Sequence, residues 1–175
     1  MKRYKFLNLV KGKIKSNSGN CTWEIGEWSK PVVNISMCKR GYHCSKTILG
    51  AMSFVSGEVL AVVEAKGKCQ KQKDKEVYES MQIIKAYKWQ KKDSVALSIF
   101  SAELVLDNFE KLYPNDDRPR KAIEATKKVL ENDTEENRSA AESAWSAAES
   151  AAESAALKKI NTWLVNHIND MEKTV

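Results

Sequence analysis

Within nine positions, Cys38-Lys39-Arg40-Gly41-Tyr42-His43-Cys44-Ser45-Lys46 gathers three cations, a histidine, a tyrosine and a flexible glycine. Arg40 offers a planar fork of donors that suits phosphate or carboxylate, and Lys39 and Lys46 add point charges. His43 can donate, accept or relay a proton near neutrality. A strand precedes the segment and a short helix follows it, so free backbone amides at the helix start are also available to an anion. The same residues would equally serve as a turn held by a buried histidine.

Trp23, Trp28 and Tyr42 are the aromatics placed to stack on a planar base, although core packing accounts for tryptophans just as well. Glu64, mid-strand in VVEAKG, is a partner for Arg40 or His43, or else points outward. With Glu64 beside it, His43 would be the general acid or base of an enzyme. Asp74-Lys75 is placed to close over a ligand from a hairpin tip, or to be a solvated loop.

The four cysteines, at positions 21, 38, 44 and 69, form no CxxC pair. The spacing of Cys38, His43 and Cys44 matches no zinc template. Reduced thiols packed as small apolar groups are the expectation, with no metal and no cofactor. The chain also lacks a P-loop, GxGxxG, HExxH, GxSxG and any kinase or deaminase signature.

The charge distribution indicates how these residues are carried. The 175 residues are 42% apolar and 30% charged, with a net charge of +6. Residues 1–92 hold 19 Lys and Arg against 7 Asp and Glu, whereas residues 93–175 hold 10 against 16. Such a reversal argues for a basic, β-rich, ligand-binding domain over 1–92 and an acidic, alanine-rich helical domain over 93–175. A basic surface attracts phosphates, nucleic acid or acidic proteins. Nucleic acid is the less favoured partner, because the helices fall in the acidic half and none reads as a basic recognition helix.

In the first half, YKFLNLV, CTWEIGEW, PVVNISM, EVLAVVEAKG and VYESMQIIKAYKW read as strands. Tyr4, Phe6 and Leu9 are the inward candidates of the first. Ser45 caps a short helix from about Lys46 to Phe54, with Ile48, Leu49 and Met52 on one side. QKQKDK is a charged hairpin connection. The second half changes period: Leu97, Phe100, Leu104, Phe109 and Leu112 recur at helical spacing. Pro114 ends that helix, and Asp116 or Asp117 caps another with Pro119 in its first turn. Residues from about Glu135 to Met171 read as one long helix in which AAES recurs at 140, 147 and 151. Trp145, Ile160, Trp163, Leu164 and Ile168 extend its stripe. An apolar stripe of that length predicts a homo-oligomer through the C-terminal helices.

The fold class expected is α+β: a small mixed sheet with one short helix, then a three-helix C-terminal region. No run approaches the ~20 apolar residues of a membrane span. The apolar part of MKRYKFLNLVKGK is too short for a secretory signal, so the expected location is cytoplasmic.

The segment MCKRGYHCSK, with SGEVLAVVEAKG beyond it, resembles uncharacterised phage and bacterial domains that carry a C-x-R-G-[FY]-H motif. Cys38, Arg40, Gly41, His43, Glu64 and Gly67 match that pattern position by position. The second half, through Asp117, Arg118, Pro119 and Arg120, is similar to the helical domain of bacterial immunity proteins. Neither resemblance brings a reaction with it. Charge, aromatics and a mobile-element context lead to one expectation: capture of a small nucleotide-like anion, as by a phage anti-defence sponge that sequesters an immune signal. Trp23, Trp28, Lys39, Arg40, Tyr42, His43 and Lys46 would line its site. The alternatives are an enzyme that cleaves such a nucleotide, or a toxin-immunity or other protein-binding module.

Overall fold

The computed structural model describes residues 2–18, 21–132 and 154–171. They form β1 (Arg3–Val10), β2 (Lys13–Lys15), β3 (Thr22–Trp23), β4 (Tyr42–Cys44), α1 (Ile48–Met52), β5 (Val59–Lys71), β6 (Glu76–Lys88), α2 (Lys91–Leu112), α3 (Arg118–Glu131) and α4 (Ser154–Asp170). The class is α+β, as expected. The six strands make one sheet in the order β3-β2-β1-β5-β6-β4, and every ladder in it is antiparallel. A parallel element enters only as the isolated bridge between Ile25 and Ile83. The described residues fall into two compact units, divided at Trp89/Gln90 and again at Leu164/Val165.

The centre of the sheet is the β5–β6 hairpin, with thirteen residues in each strand. Its connection is tight, with the Gln72 N–H donating to the Lys75 carbonyl at 2.8 Å. The register slips between Lys66 and Cys69, where Gly67 has φ +85° and the Lys68 N–H donates to Glu79 Oε2 at 2.9 Å. A bulge of this kind sharpens the local twist and bends the strand. The sheet consequently curls until side chains from its two edge strands meet: the Trp23 ring on β3 lies 5.4 Å edge-on from the Tyr42 ring on β4. The chain after β3 also runs along β6, donating from Gly26, Ser29 and Val32 to the carbonyls of Ile83, Met81 and Glu79.

Inside the curl, Leu7, Ile14, Trp23, Cys44, Val59, Ala61, Val63, Met81 and Ile83 form the core. The opposite face is also covered. Phe6, Leu60 and Tyr87 lie in one row across β1, β5 and β6 and are buried, and Phe6 packs edge-on against Trp89 at 5.5 Å. Both Phe6 and its neighbour Leu7 are therefore core residues, whereas Tyr4 and Leu9 are only half-buried.

Two expected elements change. PVVNISM is not a strand: Asn34 takes φ 55°, which breaks the extended run, and only the bridge between Ser36 and Arg40 remains. The short helix begins later, at Ile48, and its N-cap is Thr47, whose hydroxyl accepts from the Gly50 N–H at 3.0 Å. Ser45 does not cap it, because its backbone is paired with Tyr4 across the sheet, donating and accepting at 2.9 Å. The buried side of the helix is Ile48 and Ala51.

In the second unit, Ile99, Ala102 and Leu106 on α2 pack with Ile123 on α3. That stripe is offset from the expected one, and Leu112 is 73% exposed. Arg120 grips Glu110 through Nε and Nη2 at 2.7 and 2.6 Å, tying α3 back to α2, while Arg118 pairs with Asp116 and Lys121 with Asp117. Pro119 sits in the first turn of α3, with Asp117 as N-cap. On the part of α4 in this unit, Trp163 stacks on Phe100 at 5.1 Å and Ile160 and Leu164 are buried; Ile168, in the first unit, is buried as well. The AAES repeats and Trp145 lie outside the described residues, apart from Ser154. Among the described residues, no helix is long and apolar enough to cross a membrane.

Candidate functional site

The turn before β4 is built around three left-handed residues: Asn34, Cys38 (φ 62°) and Gly41 (φ 116°). Gly41 is required twice over. Its conformation disfavours any side chain, and a Cβ there would lie 2.6 Å from Val77 Cγ2 and 3.1 Å from the Tyr78 carbonyl. The Ser36 N–H donates to the Arg40 carbonyl at 2.8 Å, and the Arg40 N–H donates back at 2.9 Å. Gln70 on β5 fastens the turn from the side, its Oε1 accepting from the Met37 N–H and its Nε2 donating to the Ile35 carbonyl, both at 3.0 Å.

His43 completes the anchoring. Its Nε2 accepts from the Cys38 N–H at 2.8 Å, which assigns that nitrogen as unprotonated. Burial, with the positive charges of Lys5 and Lys75, pushes the imidazole below its ordinary range, and a backbone hydrogen bond with Gly41 pulls the other way. The neutral ring that results is a fixed part of the turn. Lys39 and Arg40 occupy the exposed apex, and neither has an ion-pair partner among the described residues.

Polar residues that the sequence reading passed over lie beneath the turn. Lys5 on β1 donates from Nζ to the His43 carbonyl at 2.9 Å. Burial pushes its ammonium below the usual lysine range, with the neighbouring Cys44 and Cys21 thiols opposing. Arg3, two residues earlier, donates from Nε to Glu76 Oε2 at 2.5 Å, and the Tyr78 hydroxyl donates to the same oxygen at 2.8 Å. Glu76 is 0% exposed. Its burial alone would raise its affinity for a proton, but hydrogen bonds from Arg3 and Tyr78 and the Arg3 and Lys71 charges hold the carboxyl below its ordinary value. Burial pushes the Cys44 thiol up to about 12, and burial with the Glu76 contact pushes the Tyr78 phenol up to about 12. The Cys44 thiol and the Tyr78 phenol therefore keep their protons at neutral pH. Arg3 and Lys5 lie on the face that also carries Leu7, an alternation visible in RYKFL.

The expected site residues separate into distinct groups. Trp23 is 4% exposed, donates from Nε1 to Ser16 Oγ at 2.9 Å and belongs to the core, so it is not available to stack on a base. Tyr42 leans on Trp23 and donates its hydroxyl to the Lys30 carbonyl at 2.9 Å, a packing role also. Trp28 is 38% exposed, but Lys66 Nζ stands 3.9 Å over its ring. Lys46 leans toward Glu76 Oε1 at 3.9 Å and is otherwise open to solvent. Glu64 accepts from Gln82 Nε2 at 3.0 Å. It lies six residues along β5 from Gln70, which flanks the turn, or about 20 Å at strand rise. No pairing of Glu64 with His43 or Arg40 forms. Lys75, at the hairpin tip, does reach the turn, donating from Nζ to Cys38 Sγ at 2.8 Å. Among the described residues, no group of three or more His, Cys, Asp or Glu is arranged to hold a metal ion.

The family model described as "Domain of unknown function (DUF7666)" matches residues 1–93, more than half of the chain. The chain belongs to this family. The DUF7666 match takes in the whole six-stranded sheet and the turn described above, and ends within the first turn of α2. No curated protein and no solved structure matches the chain.

Proposed function

We propose that the β-rich unit captures a small phosphorylated, nucleotide-like anion at the apex of the 36–41 turn and the adjoining hairpin tip, and holds it without cleaving it. The observation that carries this reading is the presentation of Lys39 and Arg40. Both are exposed, both lack an ion-pair partner among the described residues, and the backbone that bears them is fastened by His43, Gln70 and the Ser36 bridge. Fixing that backbone before binding reduces the ordering cost that an anion would otherwise impose. Lys75 adds positive charge beside it, whereas Lys46 leans toward the buried Glu76.

Capture is favoured over cleavage because the general acid–base pair is missing from the turn. His43 Nε2 is already occupied by the Cys38 N–H, and Glu64 is held by Gln82 elsewhere on the sheet. A ligand that is held and not processed makes the protein a sponge for a signalling nucleotide, in line with the mobile-element resemblance. Calorimetric titration with cyclic and ADP-ribose-type nucleotides tests this, followed by heat release and mass measurement of the bound species. Recovery of intact ligand supports capture. Recovery of a cleaved ligand establishes an enzyme instead, and absence of binding across the panel removes the reading.

A further inference from the structure

We propose that Cys38 and Lys75 are an oxidant-driven cross-linking pair, a modification site that joins the turn to the β5–β6 hairpin. Lys75 Nζ lies 2.8 Å from Cys38 Sγ, and its ammonium also sits 4.6 Å from the centroid of the Phe54 ring, so two contacts hold it against the sulfur. Cys38 is exposed, and its neighbours Lys39, Arg40 and Lys75 make its surroundings electropositive. Thiols in such surroundings are the ones that react with peroxides. Its backbone is fixed by the hydrogen bond to His43, which holds the sulfur facing the lysine. Cys44, by contrast, is buried among core side chains.

The chemistry proceeds in two steps, with a peroxide as the oxidant. Hydrogen peroxide takes two electrons from the Cys38 thiol, giving the sulfenic acid and one water. Sulfenic acids condense with a nearby thiol or nitrogen. Here Lys75 first releases one proton to solvent, its free amine then attacks the sulfur, and the S–O bond breaks as the hydroxyl leaves as water with a second proton from the nitrogen. The product is a sulfur–nitrogen bond, and the protein has lost two hydrogens. A thiol reductant reverses it. Closure consumes the Lys75 charge and freezes the apex that carries Lys39 and Arg40. Its effect on anion binding rests on the function proposed above, but the cross-link itself does not.

The test uses the full chain with Cys69→Ser, which removes the other exposed thiol and the disulfide it could form. The reduced protein is treated with excess hydrogen peroxide, enough to supply the second equivalent that a sulfinic acid requires, and analysed intact and after proteolysis. The expected result is a loss of two hydrogens and a linked peptide pair carrying Cys38 and Lys75, both reversed by dithiothreitol. Lys75→Arg should abolish the linked pair and let Cys38 proceed to the sulfinic acid. A Cys38 that reaches the sulfinic acid in the Lys75-containing protein, with no linked peptide, overturns the proposal. Titrating the nucleotide panel into reduced and oxidised protein separates the two readings. Binding to neither form with the cross-link present defeats only the anion reading.

Discussion

The backbone N–H of Cys38 donates to Nε2 of His43 across 2.8 Å, so the histidine of the turn is occupied in holding the turn. This contact lies within the turn that carries Arg40 and so couples the conformation of the apex to one imidazole. Its protonation state then matters for stability as well as for chemistry.

His43→Ala should lower stability by about 1 kcal/mol, because the exposed Cys38 N–H can turn to water once its acceptor is gone. The imidazole's folded pKa lies below its unfolded value, so the proton favours the unfolded chain. The histidine's contribution is therefore complete above the unfolded value, about 6.5, and is lost as pH falls through the lower folded value. Urea midpoints measured from neutral to mildly acidic pH should fall more steeply for the wild type than for His43→Ala. Parallel slopes would show that the ring carries no such linkage.

A second acid-sensitive element is the buried pair of Arg3 and Glu76. Removing one partner leaves a buried charge uncompensated, so Arg3→Ala and Glu76→Ala should each cost on the order of 3–5 kcal/mol. The carboxyl's folded pKa is also depressed, so its contribution is present above the unfolded carboxylate value and disappears as pH drops through the folded one. This window is more acidic than that of His43. Chemical denaturation of Arg3→Met/Glu76→Leu should recover much of the loss. A double variant as unstable as the single ones would mean the pair does more than balance charge.

Not all of this was equally legible from sequence. EVLAVVEAKG and VYESMQIIKAYKW announced the central hairpin because long apolar, β-branched strands need little tertiary context. PVVNISM looks similar but fails at Asn34, a residue type that takes the left-handed region more readily than most, so the break is signalled by that one residue and masked by the apolar run around it. Trp23 reads as a stacking aromatic or as core, and it is core because the sheet curls far enough to bring β3 to Tyr42 on β4. Arg3 and Lys5 share Leu7's face by simple alternation. A charged residue is ordinarily read as outward, however, and the partner that allows burial, Glu76, lies 73 positions away.

Gly41 gives a sharp check on why the motif reads R-G-Y-H. Alanine there meets both a positive φ and a Val77 methyl at 2.6 Å. The left-handed conformation alone costs on the order of 1–3 kcal/mol, and the crowding adds to it. Gly41→Ala should therefore melt well below the wild type and lose ligand affinity. An unchanged melting temperature would show that the turn relaxes freely, which would undercut the idea of a preformed apex.

The last prediction concerns salt, because it separates a captured small anion from nucleic acid held on the same lysines. Lys39 and Arg40 form the apex with Lys75 beside it, and Lys66, Lys68, Lys71 and Lys73 lie along the β5–β6 hairpin. For a small phosphorylated ligand, a few direct contacts dominate. Salt removes chiefly the longer-range field, which decays over about 8 Å at physiological ionic strength. Affinity should weaken only modestly between low and moderate salt, and Lys39→Ala/Arg40→Ala should lower it at least about tenfold, the equivalent of 1.4 kcal/mol. A bound oligonucleotide behaves differently. Each neutralised phosphate releases counterions, so affinity falls by orders of magnitude over the same range, and contributions spread over many lysines make the double variant's effect small. Titrating a short oligonucleotide and the nucleotide panel at two salt concentrations, into wild type and Lys39→Ala/Arg40→Ala, decides between them. Tight, strongly salt-dependent oligonucleotide binding with no nucleotide binding would make the basic hairpin, and not the apex, the functional surface.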